Sequence, residues 1–227
     1  WSNSIKIKNK MSKYKYELNE KINAILINPF LSIEEFNNNC NLIKNYKIKN
    51  ISTSLNYLSY LKDSFENYSV QINTLISYPL ADCPNFLIDQ IIDYAIDNGA
   101  DGIDYLPKFF YLSRNEDEKF ANNIEKISNK KLPLTLILNK QRMSEETFNK
   151  AINISLELGV KFFQFGDGFG TTINSFDLKK LKKLFDDKVN IKVVGAIRDI
   201  GSTINLLDNG ADNVGSSYFH EIFQSIK

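Results

Sequence analysis

From residue 22 onward the sequence alternates between short apolar runs and longer stretches with helical spacing, eight times over. The runs, at 22–27, 51–55, 72–76, 103–106, 134–138, 162–165, 191–194 and 213–214, are rich in Ile, Val, Leu and Phe. Their length and composition read as buried strands. The stretches between and after them, at 32–44, 56–65, 85–98, 116–127, 144–158, 175–185, 202–209 and 217–227, carry apolar residues at helical intervals. Ser32 with Glu35 three residues later is a capping-box signature, and Ser144 and Ser175 are candidate N-caps. Strict alternation implies a parallel sheet covered by helices, and eight repeats favour a closed (β/α)8 TIM barrel of the α/β class over an open doubly wound sheet.

A local echo supports repeated units. Asn98-Gly99-Ala100-Asp101 and Asn209-Gly210-Ala211-Asp212 each end a helical stretch and lead into an apolar run, and Leu158-Gly159-Val160-Lys161 does the same. A glycine just past a helix takes the left-handed conformation that stops it, so the next residues can enter a strand. No Pro/Gly/Ser-rich linker separates a second domain. The reading is one barrel over 21–227, preceded over 1–20 by a polar, lysine-studded tail or leading helix. Trp1 is not a natural start, and the expectation is of a chain that begins inside a longer one.

Composition narrows the function. The 227 residues carry 28 Lys+Arg against 27 Asp+Glu, a net charge of +1, so no global field draws the chain to nucleic acid or an anionic membrane. Arg114, Arg142 and Arg198 are its arginines, so bidentate anion clamps are few. With Cys40, Cys83 and His220 as the complete set of Cys and His, neither a disulfide framework nor a zinc cluster nor a His-based triad is expected. No apolar run reaches the length of a membrane span and the first residues hold no signal core, so a cytoplasmic protein without metal is expected.

In a barrel of this class the site lies at the C-terminal ends of the strands. Three groups stand there. Asp104 in Gly102-Ile103-Asp104 is a mid-strand carboxylate, either functional or a solvated strand-end residue. Lys192 opens an apolar run; it is either a surface lysine or, facing Asp104 across the barrel, half of a proton-transfer pair. Gly195, with the Gly215-Ser216-Ser217 turn, offers backbone approach, hydroxyls and a helix N-terminus to a phosphate, or is an ordinary helix cap. His220 reads as a surface or packing residue. Gly166, Gly168 and Gly170 lack nucleotide-loop spacing and read as a flexible loop.

At these residues the chain resembles the deoxyribose-phosphate aldolases, class I aldolases with a TIM-barrel fold, from about residue 22 to the end. Ser77-Tyr78-Pro79-Leu80 is similar to the family's Phe-Pro turn, and Asn98-Gly99-Ala100-Asp101-Gly102-Ile103-Asp104 to its Gly-Ala-Asp-x-x-Asp strand. Lys192-Val193-Val194-Gly195-Ala196-Ile197-Arg198 resembles its Lys-Pro-x-Gly-Gly-x-Arg segment, and Gly215-Ser216-Ser217 its terminal phosphate turn. The resemblance implies cleavage of 2-deoxyribose 5-phosphate to acetaldehyde and glyceraldehyde 3-phosphate through a lysine imine that serves as electron sink, with no metal or organic cofactor. It also implies that Asp104 and Lys192 are the proton-relay carboxylate and second lysine.

The sixth strand departs from that pattern. Where the family has Phe-Ile-Lys-Thr-Ser-Thr-Gly, this chain has Phe162-Phe163-Gln164-Phe165-Gly166-Asp167-Gly168, which puts Gln164 at the position of the Schiff-base lysine. Lys161, three residues away, points to the other face by strand alternation. Asn23 falls where the family has a first-strand aspartate and Asn139 where strand five ends in glutamate; Val193 and Ala196 replace a proline and a glycine. Phe165 and Phe169 replace small or polar residues, and with Phe163 they are candidates to fill the pocket.

The expected function is therefore a diverged homologue without normal Schiff-base activity, holding a small sugar phosphate or serving as an interaction protein. The alternatives are a lyase working through another amine and acid–base chemistry by Asp104 and Lys192 without an imine, such as isomerisation of a sugar phosphate. For the lyase, Lys192 is the first choice, with Lys108 and Lys140 weaker as solvated loop residues. Barrels of this family often self-associate, so the resemblance allows a homo-oligomer that the residues themselves do not specify.

Overall fold

In the computed structural model, which describes residues 17–170, 172–185 and 188–226, the eight apolar runs form eight parallel strands. They close into a barrel in chain order, with the first strand pairing with the last. The elements are α1 (Leu18–Lys21), β1 (Ile22–Leu26), α2 (Ile33–Tyr46), β2 (Asn50–Thr53), α3 (Leu58–Ser64), β3 (Gln71–Ile76), α4 (Asn85–Asp97), β4 (Gly102–Tyr105), α5 (Phe110–Ser113), α6 (Asp117–Ser128), β5 (Leu134–Leu138), α7 (Glu145–Glu157), β6 (Phe162–Phe165), α8 (Ser175–Phe185), β7 (Asn190–Val194), α9 (Ile200–Asp208), β8 (Asn213–Ser216) and α10 (Phe219–Gln224). Of the leading segment, 1–16 lie outside the described residues, and the remainder forms α1 directly against β1.

The helix starts follow side-chain chemistry. Ser32 and Glu35 make a reciprocal capping box at α2, and the Ser144 side chain caps α7, each worth about 1 kcal/mol. Ser175 is not a cap: it is the first residue of α8, and Asn174 accepts from the Asp177 amide instead. An amide oxygen one residue earlier reaches the free N–H, so the helix starts there. The last helix begins at Phe219 rather than at residue 217, because Ser216 Oγ takes the Tyr218 amide and holds the turn open. Lys227, the end of that expected helix, lies outside the described residues.

The repeated Gly-Ala-Asp echo has a structural reason. Gly99, Gly159 and Gly210 all have positive φ, and beyond them Ala100, Val160 and Ala211 donate to the carbonyls of Ala95, Ser155 and Leu206. This is the Schellman pattern. The aspartates that follow, Asp101 and Asp212, accept from the Ile72 and Ile191 amides at 2.9 Å, clamping each returning strand to its neighbour.

Strand alternation divides the barrel wall. Phe163 and Phe165 point outward into the helix layer, where both stack on Phe185 and Phe165 meets Phe148. They are fully buried there, each contributing about 1.5–3 kcal/mol. They therefore do not fill the barrel mouth, which corrects the expectation for these two. The register places Gln164 beside Lys192, and Ser52 beside Asn73, on the inward face. Among the described residues, no helix is long and apolar enough to cross a membrane.

Candidate active site

Asp104, on β4, is fully buried and faces inward. Its Oδ2 accepts from Ser52 Oγ of β2 and from Lys192 Nζ of β7, both at 2.6 Å, and its Oδ1 accepts from Asn73 Nδ2 of β3 at 3.0 Å. Gly102 makes room for this arrangement, since a Cβ there would lie 2.5 Å from Asn73 Oδ1. Burial pushes the Asp104 carboxyl up, but the Lys192 charge and the bonds from Lys192, Ser52 and Asn73 outweigh it and hold the group below the usual carboxylate range. Lys192 also donates to Ser52 Oγ at 3.1 Å. The two sequence candidates are thus joined across the barrel as a buried, hydrogen-bonded ion pair, and the solvated alternatives for both fall away.

Above this pair opens a cavity of about 440 Å³ at the C-terminal ends of the strands. Ser52, Leu75, Gln164 and Val194 line its base, and its walls come from loops bearing Tyr78, Asp167–Phe169, Gly195–Arg198 and Ser216–Tyr218. Asp104 and Lys192 lie against Ser52, whose hydroxyl touches both; Asp104 is fully buried, whereas Lys192 keeps 10% of its side chain exposed. Among the described residues, no lysine lines the cavity. Gln164 Nε2 donates to Gly166 O at 2.9 Å, which fixes the amide at the base.

The phosphate candidates gather at one side. Gly195 and Ala196 both take positive φ, and Gly215 lies beside them on β8. Ser217 is exposed, whereas Ser216 Oγ is committed, donating to Ile197 O and accepting from Tyr218 N. Arg198 lies 4.2 Å over the Tyr218 ring and donates to its hydroxyl.

Other readings change with tertiary context. Lys140 pairs with Asp177 at 2.8 Å, and Lys108 is buried; neither is a solvated loop lysine. His220 Nδ1 meets Tyr46 Oη at 2.7 Å, a packing role away from the cavity. Asn23 is buried with Oδ1 unpartnered.

Sequence reasoning missed the Asp167 node. The carboxylate, 5% exposed, accepts from Asn139 Nδ2 (2.7 Å), Arg142 Nη1 (2.9 Å) and the Phe169 amide (3.0 Å), while Tyr78 Oη donates to its carbonyl at 2.9 Å. The glycine-rich segment is thus tethered at Asp167 and Phe169 by hydrogen bonds to three residues elsewhere in the chain, Asn139, Arg142 and Tyr78. Its signal was an aspartate between glycines, but the partners lie 25 to 89 residues away in sequence.

No protein-family model matches the chain. Curated deoxyribose-phosphate aldolases are similar to it along nearly the whole barrel. The protein of Mycoplasma capricolum is 25% identical, covering 91% of this chain and 94% of its own length, and that of Finegoldia magna is 26% identical, covering 88% and 96%. Among solved structures, the tetrameric deoxyribose phosphate aldolase of Aeropyrum pernix superposes with a TM-score of 0.82 at 18% identity, covering 96% of this chain and 95% of that one. Among the described residues, no group of three or more metal-ligating side chains occurs. In sequence and in barrel topology, over about nine tenths of its length, the chain resembles the deoxyribose-phosphate aldolases.

Proposed function

We propose that this protein is a diverged homologue of deoxyribose-phosphate aldolase that binds a sugar phosphate without forming a Schiff base. The observation that carries the reading is the cavity lining: its base presents the Gln164 amide and no lysine among the described residues. An amide nitrogen has its lone pair delocalised into the carbonyl and does not add to an aldehyde, so the electron sink for carbon–carbon cleavage is missing. Gln164 occupies the position that the family resemblance assigns to the nucleophile.

Lys192 is a poor replacement. Its Nζ is engaged, donating to Asp104 and Ser52. Attack would require breaking a buried ion pair and losing a proton first. Phosphate binding is assigned to Gly195, Gly215, Ser216 and Ser217 with Arg198 beside them. Ser216 acts by shaping the turn, because its hydroxyl is already used. Asp104 and Lys192 are assigned to hold the polar base in place. The Aeropyrum pernix relative is tetrameric, and we extend the proposal to self-association, which light scattering on the purified chain would read.

The test is intact mass after incubation with 2-deoxyribose 5-phosphate and borohydride, which reduces an imine to a stable adduct. The native chain should gain no mass, whereas Gln164→Lys, which places an amine at the cavity base, should. An adduct on the native chain mapped to Lys192 would establish the lyase alternative and overturn the proposal.

A further inference from the structure

We propose that the cavity is built for a phosphate ester carrying a planar ring, of the nucleoside monophosphate class, rather than for a bare sugar phosphate. The inference rests on the phosphate subsite assigned above. It starts from Phe169, which is 53% exposed and lines the cavity. A half-exposed aromatic on a loop is unremarkable when the loop is loose, but this one is held. The Phe169 amide donates to the buried Asp167 carboxylate, and that carboxylate is fixed in turn by Asn139 and Arg142. Tyr78, from the loop after β3, donates to Asp167 O, and its ring lies 6.1 Å from that of Phe169 at 25°. The Asp167–Phe169 segment thus reaches the loop after β3, and the two loops together present two near-parallel rings to the cavity.

β3 lies across the closed barrel from β7, whose following loop carries Gly195 and Arg198. One cavity therefore offers anion recognition on one side and an aromatic wall on the other. Its volume of about 440 Å³ falls in the range that takes drug-sized ligands. A flat ring stacked on Phe169 and Tyr78 would use both the space and the exposed ring, and rigid presentation lowers the cost of ordering the wall on binding.

Calorimetric titration of the native chain with 2-deoxyribose 5-phosphate and with deoxyadenosine 5′-monophosphate tests the inference. Stacking of a base on an aromatic side chain is worth about 1–3 kcal/mol, or roughly 5- to 150-fold in affinity. The nucleotide should bind tighter than the sugar phosphate by a factor in that range. Phe169→Ala should collapse the ratio of the two affinities toward one, and Phe169→Trp should retain it, with indole fluorescence quenched on nucleotide addition. Equal affinities in the native chain, or a ratio unmoved by Phe169→Ala, overturns the planar-ring inference while the sugar-phosphate reading stands. Binding of neither compound overturns both.

Discussion

Replacing Lys192 by methionine removes one member of a buried ion pair while keeping all but one atom of the side-chain length. Asp104 is fully buried and Lys192 has 10% of its side chain exposed, so the carboxylate left behind is largely desolvated. Removing one partner of such a pair costs about 3–5 kcal/mol. Ser52 and Asn73 still donate to Asp104, so the low end, about 3 kcal/mol, is expected. For a chain of this size that is a fall in Tm of about 6–12 °C.

The loss should depend on pH. In the native protein Asp104 is held below its ordinary value, so its contribution is present above the unfolded-state pKa of about 4 and disappears as pH falls through the lower folded value. Without Lys192, burial dominates and raises the carboxyl above the unfolded value. The variant then loses stability as pH rises from about 4 toward the raised value. The gap between native and variant is therefore largest near neutrality and shrinks on acidification. Urea unfolding at a series of pH values from about 4 to 8 measures it. A companion variant, Asp104→Asn with Lys192→Met, removes both charges and should recover most of the stability. A loss below about 1 kcal/mol at pH 7, or a deficit that does not change with pH, would refute the account of a buried and uncompensated carboxylate.

Asp167→Ala should free the β6–α8 loop and leave the buried Asn139 amide only its long 3.4 Å contact to Phe169 O, costing about 1–3 kcal/mol; amide hydrogen exchange at Phe169 should rise, and an unchanged rate there would exclude Asp167 as the anchor. Two substitutions at the loop junctions should act in opposite directions. Gly166→Ala puts a Cβ 2.0 Å from Val194 O at a φ of 99° and should cost more than about 2 kcal/mol in urea unfolding. Ala196→Gly relieves a non-glycine residue at φ 49° and, after the entropy added to the unfolded chain, should stabilise by up to about 1 kcal/mol.

Much of the architecture was legible because strand and helix periods are local properties. A run such as 134–138 or a capping pair such as Ser32 and Glu35 needs no distant partner to be recognised. The Asn-Gly-Ala-Asp echo was read as a helix stop and proved to be one, but the strand clamp made by Asp101 and Asp212 depends on amides 29 and 21 residues away. The sequence left Lys192 open between a surface residue and a partner facing Asp104, and the structure decided for the pair. The closing of Ser52 and Asn73 onto the same carboxylate did not follow, since which side chains meet inside a barrel depends on register and tilt around all eight strands.

The order of elements, the barrel class and the helix stops were determined by the sequence alone, through periodicity and turn chemistry that act over a few residues. Tertiary structure decided which polar groups are paired and which face the cavity. It turned Phe163 and Phe165 into the helix layer, buried Lys108, tied Lys140 to Asp177, and bonded the glycine-rich loop to Asn139 and Arg142 through Asp167. These outcomes depend on burial and on partners distant in the chain. A charge or ring acquires its role only when the closed barrel sets what surrounds it.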